Sequence, residues 1–389
     1  MSRRIYTETE DEVITCINCI TEKTEDLTFH NRTVTDIIET EKRGNNLSFV
    51  GPGLIDLQIN GINGIDFNTP SLTRQDIVNA THYLLSQGVT TFLPTVVTNS
   101  DENILKIVHT IYQACVTNPI VNDSIWGIHL EGPFISPEDG AKGAHDKKYI
   151  KAPDWELFSK FQEAAGGKIK LITIAPEWED SYSFIKKCKD KGVLVSIGHS
   201  MANTEQIKMA VEAGASLSTH LGNAVPLLLP RHPNLIWDQL ATEELYACII
   251  TDGIHIPDSF IKVVMKTKGK NTIVISDATC FAGMAPGEYQ NHIGGTIVLD
   301  KEKRVSLKSS KGLLAGAAKS LLENVETLID HNLSTPGEAW QMASANVAAM
   351  LEKNDKTFNN KNDLVIFQLN GKEIEIERVI KKGRIVFEK

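Results

Sequence analysis

A chain of 389 residues, 41% hydrophobic, 23% charged and 6% aromatic, can bury a large core without disulfides and is too long for one small domain. Its formal net charge of -9 excludes general electrostatic capture of nucleic acid, so an anionic ligand must meet local cations or backbone donors. No stretch approaches the ~18 apolar residues of a membrane helix, and no apolar run follows the two arginines of MSRRIYTETEDEV, so the expected compartment is the cytoplasm.

Within residues 1–50, VITCINCITE and LTFHNRTVTDIIET predict short β-strands separated by polar turns. Cys16 and Cys19 form a CxxC there, but no second CxxC follows, which points to a structural role. Cys115, Cys188, Cys248 and Cys280 are scattered, as in reduced intracellular proteins. From Pro52 to about Ala345 the pattern changes. Apolar runs (LIDLQIN, TFLPTVV, IWGIHLEG, KLITIAPE, LVSIGHS, SLSTHL, ACIITDG and TIVISDA) alternate with amphipathic stretches such as SLTRQDIVNATHYLLSQG and TEQIKMAVEAG, each ending at glycine, a common helix stop. Eight strands in βα alternation predict an α/β fold with a (β/α)8 TIM-like barrel rather than an open sheet. Near the end, DLVIFQL and GKEIEIERVIKKGRIVF read as strands again. Residues 1–50 and 355–389 are therefore expected to form one small β-sandwich domain from both chain ends, beside a barrel of residues 51–354.

Most of the barrel strands carry a polar residue at the C-terminal end: Gln58, Glu131, His199, His220 and Asp277. Barrel enzymes build their sites on that rim, and ionisable groups at buried strand ends are otherwise costly. Glu131, in IHLEGPF, is either salt-bridged to a Lys or Arg or binds a metal. His199 and His220, taken singly, read as satisfied rim histidines. With Glu131 they make a His2Glu set of the kind that holds catalytic zinc and leaves a position open for water. Asp277, in VISDAT, is either a helix N-cap or a general base that then serves as acid toward a leaving amine.

Around this set, His145 follows a loop containing Gly140 and Gly143, flexible enough to fold over a site. Asp252 and His255, in ITDGIHI, either serve substrate binding or cap a loop. Arg231, in LPRHP, is a natural oxyanion or phosphate partner through its bidentate fork, or an ordinary surface arginine. His82, His109, His292 and His331 have no evident partner and no assigned role.

Taken together, GPGLIDLQING, HLEGPF, GHS, THLGNAVP, DGIH, SDA and LLAGAAKS resemble, in order along the barrel, the N-acetylglucosamine-6-phosphate deacetylases of the metal-dependent amidohydrolase superfamily. The resemblance implies Glu131, His199 and His220 as metal ligands and Asp277 as catalytic acid/base. It implies substrate contacts from Ala144, His145, Asn223, Ala224, Arg231, Asp252 and His255, with Leu314, Ala315 and Gly316 lining the sugar pocket. It also implies a homodimer in which Arg231 reaches the neighbouring site. Many amidohydrolases carry His-x-His where this chain reads Gln58-Ile59-Asn60, so one divalent ion is expected, zinc above Fe, Mn or Co, with Gln58 near its water. The loop before His145 is about two residues longer than usual and carries Glu138-Asp139, which can displace His145. Gly222 stands where an aromatic residue is frequent, which opens the alternative of a non-phosphorylated or differently acylated sugar, or another amide. A non-catalytic binding barrel is the more distant alternative.

Overall fold

The computed structural model describes residues 11–42, 44, 46–291, 295–308 and 314–389. His292 lies outside them. Eight parallel strands form the central sheet: Leu54–Ile59, Val89–Val97, Ile128–Glu131, Ile169–Ile174, Leu194–Ile197, Leu217–Ser218, Tyr246–Ile250 and Thr272–Ile275. They correspond one for one to the eight apolar runs. The sheet closes where the first strand meets the eighth, with Asp277 N–H donating to the Gln58 carbonyl (2.9 Å) and Asn60 N–H to that of Ala278 (2.7 Å).

The helices between the strands start and stop where their sequences require. Thr73 with Asp76 and Asn203 with Gln206 form capping boxes that satisfy otherwise orphaned N-terminal amides. Leu57, Leu93, Leu171, Leu194, Leu217, Ile250 and Ile273 pack into an apolar core with Met350 and Leu351 of helix Ala345–Asn354. Asn346 Nδ2 donates to the Thr272 carbonyl at the start of the eighth strand, so this helix covers the N-terminal end of the barrel. Each such leucine or isoleucine contributes about 1.5–3 kcal/mol on burial.

The two chain ends meet in one seven-stranded sheet. Glu12–Asn18, Thr24–His30 and Thr33–Glu39 join Arg384–Glu388, Glu373–Lys381, Leu364–Asn370 and Ser48–Pro52 in that order, and the first strand pairs with the last to close the sheet around Leu27, Phe29, Val50, Ile366 and Ile380. Cys16 and Cys19 are buried, unpaired thiols of this region. Trp340 stacks on Phe367 (4.3 Å between centroids) and donates to the Pro52 carbonyl, joining this sheet to the barrel. Lys381 is buried against Asp363 (2.7 Å) and also reaches Thr91 Oγ1 on the second barrel strand (3.1 Å).

One element has no counterpart in the sequence reading. Between the eighth barrel strand and its helix Leu321–Asp330 stands an antiparallel sheet of Gly287–Asn291, Gly295–Leu299, Arg304–Leu307 and Leu314–Ala317, packed through Phe281, Ile297, Leu299 and Val305. The run SDATCFAGMAPG leads into this sheet, and the chain returns to the barrel only at Ala317.

Candidate active site

Glu131 ends the third strand, His199 and His220 stand two residues past the fifth and sixth, and all three point to one place. Glu131 Oε1 lies 3.1 Å from Nε2 of each histidine, and the two Nε2 atoms are 3.0 Å apart. All three residues are buried. Two imidazole nitrogens and a carboxylate oxygen converging this closely form a donor set suited to one cation. Ligands about 2.0–2.1 Å from a tetrahedral ion lie about 3.3 Å from one another, so the trio could hold a metal ion after a small relaxation. The pairing of Glu131 with a Lys or Arg is thereby set aside. Its partners are imidazoles.

The surrounding chain fixes the presentation of these atoms. His199 Nδ1 donates to the Ala141 carbonyl (2.9 Å), which fixes the ring with Nε2 turned toward the trio. Ser136 N–H in turn donates to the His199 carbonyl (2.8 Å), so the loop after the third strand is tied to the end of the fifth. His199, His220 and Asp277 all have left-handed backbones, with φ of 50°, 27° and 47°. Such strain in non-glycine residues costs of order 1–3 kcal/mol each and persists where the surroundings over-determine it, as at binding sites. Burial works against the Glu131 charge, yet hydrogen bonds from His199 and His220 hold its carboxyl well below the usual range. The same carboxylate raises His220 against the opposing effect of burial.

Asp277 stands beside the trio. Its Oδ1 accepts from Gln58 Nε2 (3.0 Å) and Asn60 Nδ2 (2.8 Å), and Gln58 Nε2 also donates to Glu131 Oε1 (2.8 Å). Burial, then the Glu131 charge, pushes the Asp277 carboxyl up to about 6. The N-cap alternative fails, since the next helix begins at Leu321 and is capped by Ser320. Gln58 and Asn60 present amide hydrogens, not lone pairs, toward the two carboxylates.

His145 is brought in despite the longer loop. Its ring lies 4.4 Å from that of His199, and its Nδ1 is 2.7 Å from Thr98 Oγ1. Burial and then the charge of His199 push it down to about 3, so it is neutral. Ala144 is exposed beside it. Gly132, with φ of 100°, makes room for Thr98, because a Cβ there would sit 2.1 Å from the Thr98 hydroxyl. Asp252 is buried and accepts from His255 Nδ1 (2.6 Å) and from the amides of Ile254 and His255, which outweigh burial and lower its carboxyl. His255 is near enough to Asp277 for its charge to act on it.

Asn223 and Ala224 are half-buried next to His220, with Asn223 N–H donating to the His220 carbonyl (2.9 Å). Arg231 is exposed farther along the same loop, beyond Leu227 and Leu228, which are 95% and 91% exposed. Leu314 and Gly316 belong to the last strand of the inserted sheet, and the side chain of Ala315 lies outside the described residues. Thr279 donates through both N–H and Oγ1 to the Ala317 carbonyl (2.9 and 2.8 Å), which holds this strand next to Asp277. At Gly222, an added Cβ would lie 2.9 Å from the Phe260 ring. The Phe260 ring of helix Asp258–Lys268 thus packs directly against the backbone at Gly222.

Sequence reasoning missed Asn60, Thr98, Phe260 and His129. Of these, Asn60 was marked by the broken His-x-His and His129 by standing two residues before Glu131 on the same face of a strand, whereas Thr98 and Phe260 had no local signal.

No protein-family profile matches the chain. It is 32% identical over 343 residues to an N-acetylglucosamine-6-phosphate deacetylase of Bacillus subtilis (strain 168), covering 86% of this chain and 84% of that one. It is 32% identical over 344 residues to the deacetylase of the same name from Lysinibacillus sphaericus, covering 87% and 85%. The fold matches the crystal structure of N-acetylglucosamine-6-phosphate deacetylase from Pasteurella multocida, with a TM-score of 0.82 and 24% identity over 97% of this chain and 100% of that one. A barrel whose rim gathers this Glu–His–His–Asp set, joined to relatives matched over most of both chains, belongs to the N-acetylglucosamine-6-phosphate deacetylase family of the amidohydrolase superfamily.

Proposed function

We propose that this chain is a metal-dependent hydrolase that removes the acetyl group from N-acetylglucosamine 6-phosphate, giving glucosamine 6-phosphate and acetate. The observation that carries the reading is the convergence of Glu131, His199 and His220 beside Asp277 in a chain of this family. Glu131, His199 and His220 hold one divalent ion, with zinc the best match to a His2Glu donor set. When bound, such an ion lowers the pKa of water and polarises a carbonyl. The amide hydrogens of Gln58 and Asn60 occupy the place where a second ion would need lone pairs, which supports a single ion.

Asp277 is the acid/base. Its Oδ1 is taken by the two amide donors, so Oδ2 receives the proton of the attacking water. Burial favours the protonated form of this carboxyl, which suits it to accept that proton and pass it to the departing sugar nitrogen. His145, neutral and fixed through Nδ1 by Thr98, turns its other nitrogen toward the oxyanion of the tetrahedral intermediate. Asn223, Ala224, Asp252, His255 and the strand Leu314–Ala317 enclose the sugar, and Ala144 closes one side. Arg231, exposed on its own chain, reads the phosphate of a neighbouring copy in a homodimer. The unpaired thiols fit a cytoplasmic enzyme, and among the described residues no helix is long and apolar enough to cross a membrane.

The exposure of Arg231 favours one second reading, in which the sugar carries no phosphate. Acetate release from N-acetylglucosamine 6-phosphate and from N-acetylglucosamine, each with and without chelator and added zinc, decides. Chelator-sensitive turnover that prefers the phosphorylated sugar supports the proposal. Turnover of the free sugar alone keeps the chemistry and reassigns Arg231, and turnover of neither by metal-loaded protein removes the substrate assignment.

A further inference from the structure

Beneath the rim, the barrel interior changes from apolar to polar. Leu93, Leu171, Leu194 and Leu217 belong to the apolar floor, and two residues farther along each strand stand Thr95, Thr173, Ser196 and Thr219. His129 joins them from the third strand, two residues below Glu131. All five polar residues are 0–4% exposed. Methyl groups would fill this layer at no desolvation cost, so buried hydroxyls and an imidazole need a reason.

Their hydrogen bonds form one connected chain. His129 Nε2 lies 2.8 Å from Thr173 Oγ1, which lies 2.8 Å from Thr219 Oγ1, which lies 2.6 Å from Ser196 Oγ. On the other side His129 Nδ1 is 3.5 Å from Thr95 Oγ1, and that oxygen accepts from Ile59 N–H between Gln58 and Asn60 (3.0 Å). Thr219 donates to Ser196, so Thr219 accepts from Thr173 and Thr173 in turn accepts a proton from His129 Nε2. The chain thus ties together the three strands that carry Glu131, His199 and His220.

The fourth strand is the informative one. It gives no atom to the trio, yet Thr173 is in register with Glu131 on one side and Ser196 on the other, at the middle of the chain. Thr219 directly precedes His220. Resting on the reading that Glu131, His199 and His220 hold the metal, we propose that Thr173, with His129, Thr219 and Ser196, is a positioning layer that sets the spacing of those ligands. Groups hydrogen-bonded directly to metal ligands are worth about 10- to 100-fold in metal affinity, and a layer that acts on the ligands through their strands is tested against that range.

Two substitutions at Thr173 separate the hydroxyl from the packing. Thr173→Val keeps the shape and removes the hydroxyl, and Thr173→Ser keeps the hydroxyl and removes a methyl. Zinc affinity of the full-length protein is measured by competition with a chromophoric chelator, alongside the melting temperature of the metal-free form. The positioning layer requires Thr173→Val to bind zinc 10- to 100-fold more weakly and Thr173→Ser to stay within threefold of the unsubstituted protein. Affinity within threefold for Thr173→Val, or an equal loss in Thr173→Ser, overturns it in favour of packing alone. If Thr173→Val does not fold, Ser196→Ala removes the far end of the chain at little change in volume and must meet the same 10-fold threshold. A failure of the metal reading looks different: the unsubstituted protein binds no stoichiometric zinc, or Glu131→Gln binds it as well as the unsubstituted protein does.

Discussion

Replacing Asp277 by asparagine isolates its proton chemistry from its place in the structure. Asp277 Oδ1 accepts two amide hydrogens, from Gln58 at 3.0 Å and Asn60 at 2.8 Å. An asparagine at 277 places its carbonyl oxygen against both donors and its NH2 where Oδ2 stood, so both hydrogen bonds survive while the proton acceptor is lost. The fold is not weakened, because burial and the nearby Glu131 charge already disfavour the ionised carboxylate. General acid–base catalysis contributes about 10²–10⁴-fold, or roughly 3–5 kcal/mol, and one group that serves as base and then acid puts the loss toward the upper end. The assay is acetate release by protein whose metal content has been measured. Expected is a kcat lower by at least 10²-fold with metal content and melting temperature unchanged. Activity within tenfold of the unsubstituted enzyme would remove Asp277 from proton transfer, and loss of the metal would make it a ligand instead.

Arg231→Ala should raise KM for the 6-phosphate sugar by about 10- to 100-fold, the value of a charge-assisted bidentate contact, and leave the unphosphorylated sugar nearly unchanged; equal effects on both dissociate Arg231 from the phosphate. Lys381→Met strands the buried Asp363 carboxylate and should cost about 3–5 kcal/mol in urea unfolding, whereas Lys382→Met breaks only an exposed pair with Asp123, worth about 0–1 kcal/mol; equal costs refute the buried-pair argument. Burial raises the Asp56 carboxyl from 3.8 to about 7 against the opposing Ser276 hydroxyl, so the folded protein keeps a proton that the unfolded chain has released. Stability is therefore lost as pH climbs from about 4 to 7, by an amount on the order of 4 kcal/mol, and Asp56→Asn should flatten that slope in unfolding measured across this range; an unchanged slope assigns it to other groups.

The strands and the rim were legible because both follow from solvation. Eight apolar runs alternating with amphipathic stretches have few ways to bury themselves, and Glu131, His199, His220 and Asp277 at the ends of such runs are unfavourable unless they meet. The same pattern left roles open where a residue's partner lies far along the chain. Asp277 read as a possible N-cap because its amide donors, Gln58 and Asn60, come from a strand more than two hundred residues earlier. Asn60 was visible only as the neutral residue of a broken His-x-His. Its hydrogen bond to Asp277 depends on the barrel closing between its first and last strands.

The inserted sheet and the positioning layer escaped for a related reason: each is defined by what lies across from it. Residues 287–317 alternate weakly, and their strands bury Ile297, Leu299 and Val305 against Phe281 rather than against the barrel, so neither helical nor barrel-strand spacing marks them. Phe260 shows the converse. Gly222 looks like a lost aromatic group in a linear reading, yet the ring of Phe260 packs against it from helix Asp258–Lys268 and leaves no room for a Cβ at 222. In Thr95, Thr173, Ser196 and Thr219 the signal was present, a hydroxyl two residues beyond a leucine on each of four strands. A threonine inside an apolar strand has an ordinary explanation in β-propensity and attracts no notice alone. Only in the closed barrel do the four hydroxyls and His129 fall at one level. Their hydrogen bonds there make a local preference for threonine and serine into a constraint on where Glu131, His199 and His220 can stand.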